Sequence, residues 1–249
     1  MKSYHFEETL PKHKGLLDVL VETGSVKIVP HKETAVHDKT ACPHGGAGAV
    51  IIDAVARHME ISVVHEGNKV IIRVKKDKSW RNWDQKLTRW LKNDHPKAEL
   101  TIQVPEDCEI NATTVTGKLS INDLNAPVTT RVVTGTTQLA NLGGPINAKT
   151  VTGQLSYNGF LTNEHHCFKA TTGNVTLNLS KEPNAHLDAK TVTGRIRCDY
   201  PLAKMSENGS RTSVGTSRFT GSRLTGILGS GEGHIKARVV TGNLRLKSA

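Results

Sequence analysis

The sequence predicts an all-β protein. The expected architecture is a parallel β-solenoid (β-helix) of roughly 18–21-residue rungs, with a β-rich N-terminal part and one short amphipathic helix. Three observations predict it. A Thr-Gly step followed by alternating apolar residues recurs six times, at Gly117, Gly135, Gly153, Gly173, Gly194 and Gly242, and the first five glycines are 18, 18, 20 and 21 residues apart. Aromatic residues are few (4%) and glycines number 22 in 249 residues, which suits short strands joined by turns. Over most of the chain, apolar and polar residues alternate with the strand period of two.

Residues 1–76 read as the β-rich N-terminal part of the solenoid. Leu17–Val21 and Gly24–Val29 alternate around a turn. His58–Val64 and Lys69–Val74 flank Glu66-Gly67-Asn68, a hairpin signal. The alanine-rich stretch Ala47–Arg57 is expected to be a short helix.

Residues 77–97 break the pattern and hold all three tryptophans. Trp80, Trp83, Leu87, Trp90 and Leu91 fall on one face at helical spacing. Ser79 is the expected N-cap, and Asn93 with Pro96 ends the helix. From 73 to 97 there are nine Lys/Arg against three Asp, a local charge of +6 out of +10 for the chain.

Residues 98–249 are the repeat array. With each glycine set as position zero, positions +2 and +4 are both apolar in five of the six copies: Leu119/Ile121, Leu155/Tyr157, Val175/Leu177, Ile196/Cys198 and Leu244/Leu246. Position −2 is valine in five copies (Val115, Val133, Val151, Val192, Val240) and is expected to face inward with them. Position −7 (Ile110, Val128, Ile146, Leu187, Ile235) and position −5 (mostly alanine) are apolar with the opposite parity, so a bend is expected between −5 and −2. Threonines at −1 and −3 are expected to point outward as a partial Thr-x-Thr array. Between Pro201 and Gly233 the period loosens.

Residues 17–28 (LDVLVETGSVKI), 100–121 (LTIQVPEDCEINATTVTGKLSI) and 229–246 (GSGEGHIKARVVTGNLRL) resemble the bacterial "putative adhesin" β-strand-repeat family, a domain of unknown function. The resemblance covers most of the chain except the tryptophan segment. It implies a β-solenoid and no catalytic residues.

A solenoid presents ladders of repeated side chains, so the expected function is binding or scaffolding without enzymatic activity. A net charge of +10 favours an anionic partner: an acidic lipid surface, a polysaccharide or a nucleic acid. Two groups of residues are candidates for that contact. One is the tryptophan helix, with Trp80, Trp83, Trp90, Arg81, Lys86, Arg89 and Lys92. The other is the −4 column, with Arg131, Lys149, Lys169, Lys190 and Arg238, where parallel strands about 4.8 Å apart stack successive cations. The helix is also readable as a cap on the solenoid end. The alternative function is a scaffold assembling end to end, or an adhesin-like protein. Self-association is expected through the C-terminal rung, whose edge is read as open. A protein partner is a further expectation.

No metal or cofactor is expected. Cys42-Pro-His44 and His165-His166-Cys167 hold ligand types for zinc but lack finger-like spacing. The carboxylates of the array share no column, so no acid/base pair is expected. Gly229-Ser-Gly-Glu-Gly lacks the following Lys-Ser/Thr of a phosphate-binding loop. The first residues carry no apolar core of signal-peptide length, and no apolar run is long enough to span a membrane. With four scattered cysteines, this points to reduced thiols in the cytoplasm, with peripheral attachment at a membrane as an extension.

Overall fold

The computed structural model describes residues 1–11, 15–31, 47–77, 95–205, 211–214, 219–221 and 223–248. They form β1 (Lys2–Pro11), β2 (Leu16–Pro30), β3 (Ala47–Arg57), β4 (Met59–Glu66), β5 (Lys69–Lys76) and β6 (Lys97–Val104). The long strands β7 (Glu109–Asn122), β8 (Val128–Ala140), β9 (Ile146–Gly159) and β10 (His165–Leu179) follow. Then come β11 (Ala185–Thr193), β12 (Ile196–Cys198), β13 (Leu202–Met205), β14 (Arg211–Val214), β15 (Phe219–Gly221), β16 (Arg223–Leu228), β17 (Gly233–Thr241) and β18 (Leu244–Ser248). The protein is all-β. The tryptophan helix expected over 77–97 falls mainly on 78–94, outside the described residues, and its candidate contacts fall there with it. Ala47–Arg57 is a strand, not a helix. Val50, Ile52, Ala54 and Ala56 are buried while Asp53 and Val55 are exposed, so burial follows a period of two. The β-branched residues decide the conformation over the alanines.

The long strands pair in parallel, in register and one repeat apart. Gly117 lies opposite Gly135, Gly135 opposite Gly153, and Gly153 opposite Gly173. A seventh copy of the pattern lies in β2, where Thr23 and Gly24 stand opposite Thr116 and Gly117. At the other end the chain order is broken. β10 does not pair with β11. Instead β17 sits between them, parallel to both, with Lys169 opposite Arg238 and Arg238 opposite Lys190. The second arm repeats this order, with β18 between β10 and β12.

Residues 180–184 therefore step across two strand spacings, about 10 Å, leaving a slot that β17 fills. Asn184 secures the entry to that slot. Its carbonyl accepts from the Gly233 N–H (2.8 Å) and its side chain from the Ser230 N–H (3.3 Å). The open edge expected at the C-terminal rung does not occur, because β17 and β18 are flanked on both sides. Antiparallel strands cover the outermost parallel strands instead: β4 on β5 and β3 on β6 at one end, β16 on β11 and β15 on β12 at the other.

Each long strand bends at its glycine into two arms. These glycines have φ between 137° and 151° in the six copies, a region open to glycine alone. A Cβ on Gly153 would lie 1.8 Å from the carbonyl oxygen of Gly135, and each glycine of the column is blocked in the same way by its neighbour. The reversal at glycine shifts the side-chain alternation. Positions −7, −5 and −3 face the core before it, and +2 and +4 face the core after it.

Two expectations are corrected by this. The −2 valines are outside: Val115 and Val151 are 39% exposed, Val240 48% and Val192 66%. The −3 threonines Thr114, Thr150 and Thr191 are inside, each no more than 2% exposed. The bend lies at the glycine itself, not between −5 and −2. The +2 and +4 columns are buried as expected, and the −1 threonines are exposed.

The core runs along the inner faces of the two arms. Buried leucines of the return loops, Leu124, Leu142 and Leu161, join the same core. Those loops leave the second arm through Asp123 (φ 58°), Asn141 (φ 50°) and Gly159 (φ 133°), residue types that accept positive φ.

Candidate functional site: a basic row and an arginine cleft

Because β17 is inserted between β10 and β11, the −4 cations form one uninterrupted row. In spatial order it runs Arg131, Lys149, Lys169, Arg238, Lys190, each opposite the next. It continues onto β16, where Arg223 lies opposite Lys190. Six cations over five strand steps make a row about 24 Å long. Arg131, Lys149, Arg238, Lys190 and Arg223 are exposed, and Lys169 is half-buried. Within the row, one ion pair occurs among the described residues, Arg238 to Asp188 at 3.3 Å. Both its side chains are nearly half exposed, so the pair adds little stability, and Asp188 offsets one of the six charges.

Neighbouring unit charges about 5 Å apart in water repel by roughly 0.8 kcal/mol. The row is thus a self-opposed array that an extended polyanion would relieve. Beside it, on the same outer surface near the corner, the −2 residues form a parallel row of valines interrupted by Thr171 on β10. Toward the N-terminal end the basic row gives way to Thr113 and Leu20. There Asp18 is paired with Lys69 (2.9 Å) and Arg73 (3.2 Å). Burial pushes the Asp18 carboxyl up, but hydrogen bonds from Arg73 and Lys69 outweigh it and hold it below the usual carboxylate value.

On the outer face of the second arm, Arg195, Arg197 and Arg245 line a cavity of about 400 Å³ with Gly194 and Asn243. Arg197 and Arg245 lie directly opposite each other on β12 and β18. Neither these arginines nor Arg223 was singled out from the sequence. The signal was present in the copies themselves, as Arg at +3 in both Gly194-Arg-Ile-Arg and Gly242-Asn-Leu-Arg. Their adjacency required the strand order.

The histidines also stack through that order. The His165 ring lies 4.9 Å from that of His234, and His234 lies 5.1 Å from His186. His166, the next residue, points the other way, into the core. Its Nε2 meets the Thr162 carbonyl at 3.0 Å, its Nδ1 has no partner, and burial holds its pKa below the ordinary value. His165, His166 and Cys167 therefore do not converge, and Cys42 and His44 lie outside the described residues. Among the described residues no group of His, Cys, Asp and Glu is arranged to hold a metal ion. Cys108 is buried, which raises its thiol pKa to about 12. Cys198 is buried and likewise raised. Among the described residues Cys108, Cys167 and Cys198 are all free thiols, and no helix is long and apolar enough to cross a membrane.

No family model matches the chain, and no curated protein matches it. Among solved structures, the chain is similar to a "putative cell adhesion protein" from Clostridium sporogenes. The two share 11% sequence identity and a TM-score of 0.48, with 100% of each chain covered.

Proposed function

We propose that the chain is a non-enzymatic β-solenoid that binds a linear polyanion along the row Arg131, Lys149, Lys169, Arg238, Lys190 and Arg223. The observation that carries this reading is the continuity of the row: six adjacent strands each contribute a cation at one register position. The solenoid reading is supported by the in-register stacking of seven glycine corners. A rigid sheet holds the charges at fixed spacing, so little order is lost on binding. Such binding is driven by counterion release and falls steeply with salt.

The test is a titration of labelled heparin and labelled duplex DNA across a salt series. Wild type should bind at low salt and release as salt rises. The combination Lys149→Glu, Lys169→Glu and Lys190→Glu should abolish binding while the far-UV spectrum is unchanged. Undiminished binding by that variant would refute the reading.

The exposed valine row favours a second reading, attachment to an acidic membrane surface, with valines in the headgroup region and the cations on lipid phosphates. Sedimentation with anionic vesicles, lost in Val151→Ser with Val240→Ser, would select it.

A further inference from the structure

We propose that the cleft between Arg195, Arg197 and Arg245 is a separate binding site for a single tetrahedral oxyanion, a phosphate or sulfate group. It lies on the second arm, so it does not depend on the polyanion reading of the first arm. Arg197 and Arg245 occupy the same register position on adjacent parallel strands, so both project from one face. Arg195 enters the same cavity of about 400 Å³. All three are exposed, and no carboxylate among the described residues pairs with any of them.

The floor of the cleft is fixed. The Asn243 side-chain oxygen accepts from the Arg195 backbone N–H at 3.2 Å. The Asn243 backbone N–H and Nδ2 both donate to Asn174 Oδ1, at 3.0 and 3.3 Å. Asn174, Asn243 and residue 195 are thus tied across three strands. Gly194 adds no side chain to the cavity, and a Cβ there would meet the Gly242 carbonyl oxygen at 1.8 Å.

The choice of residue points to the ligand. A guanidinium is a planar fork of N–H donors that matches two oxygens of a phosphate or sulfate at once. Three forks around one small cavity, without an anion from the described residues, supply more donors than a carboxylate can accept. The basic row differs in kind: it is half lysine, open and extended, and suits charge density more than the shape of one group.

The experiment is thermal unfolding of the full chain in inorganic sulfate, in inorganic phosphate, and in chloride matched for ionic strength. A ligand that binds the native state raises the midpoint. Sulfate and phosphate should raise it above chloride in wild type. The rise should be lost in Arg197→Gln with Arg245→Gln and reduced in Arg197→Lys with Arg245→Lys, which keeps charge and removes the forks. It should persist in the charge-reversed basic row. Glycerol 2-phosphate run in parallel assigns the cleft to an esterified group if its rise is the larger, and to the free ion if the smaller. No rise in wild type, or an equal rise in the Gln pair, overturns the site. Should the Gln pair fail to fold, the Lys pair decides, and a rise equal to wild type overturns it.

Discussion

Lys169 lies opposite Arg238 on β17, not opposite Lys190 on the next repeat in sequence. That one pairing makes the basic row continuous and leaves the C-terminal rung without a free edge. It also makes the end of the chain a structural element of the array. Truncation after residue 232 is predicted to remove the shared neighbour of β10 and β11, strip the cover from Val175 and Ile196, and unfold the region beyond about residue 180. Limited proteolysis should then cut the truncated chain there while the full chain resists. A truncated protein as resistant as wild type would contradict the placement of β17.

The glycine corner is predicted to tolerate no side chain. In Gly153→Ala the new Cβ would meet backbone oxygen at 1.8 Å at a φ of 137°. Neither can move without shifting the neighbouring rung. The loss of stability should be at least about 3 kcal/mol in chemical denaturation. Gly67→Ala is the control: its Cβ would meet nothing within 4 Å, and φ there is 61°. Its cost is a single left-handed residue, about 1–2 kcal/mol.

Buried hydroxyls give a prediction of opposite sign at neighbouring sites. Thr114 and Thr130 are buried with no hydrogen-bond partner for Oγ1, so Thr114→Val or Thr130→Val should stabilise by about 1 kcal/mol. Thr137 and Thr150 bond each other across the core at 3.2 Å. Thr137→Val should therefore destabilise by about 1 kcal/mol, leaving the Thr150 hydroxyl alone. Urea midpoints of the three variants check the signs.

Stability is predicted to fall with acid in two windows. Burial holds His166 below its ordinary value of 6.5, so its neutral form is favoured in the folded protein. Its contribution is whole above the unfolded value and declines as pH falls through 6.5 toward the folded one. His166→Ile, matching the isoleucines at the same position of other copies, should flatten the profile below pH 6.5. Asp18 has a folded value below 3.8 despite its burial, because Arg73 and Lys69 bond its carboxylate. Its contribution is present above 3.8 and is lost as pH falls through the folded value. Asp18→Asn should lower stability at neutral pH and remove that last acid step.

Burial at +2 and +4 was legible in the sequence because strand alternation after the glycine is local. The −2 valines were misplaced because a glycine at φ near 140° resets that alternation, and the residue pattern alone does not report φ. The Ala47–Arg57 strand was missed because its alanines weighed more than Val50, Ile51, Ile52 and Val55. The rung order was not legible for a different reason. All copies share one register, so any copy fits beside any other, and the slot for β17 is set by the 180–184 crossing and the Asn184 contacts. The candidate site was half legible: its residues were picked out on the first arm, while its continuity, Arg223 and the arginine cleft follow from that order.

The most direct test is disulfide trapping of the rung order. Lys169→Cys with Arg238→Cys and, separately, Arg238→Cys with Lys190→Cys place thiols on adjacent strands, within the Cα separation of about 4.4–6.8 Å that a disulfide spans. Lys169→Cys with Lys190→Cys places them two strands apart, about 10 Å. After mild oxidation, peptide mass mapping should find the 169–238 and 190–238 crosslinks and not 169–190. A 169–190 crosslink without the other two would show that the repeats stack in chain order, and would break the basic row on which the proposed binding function stands.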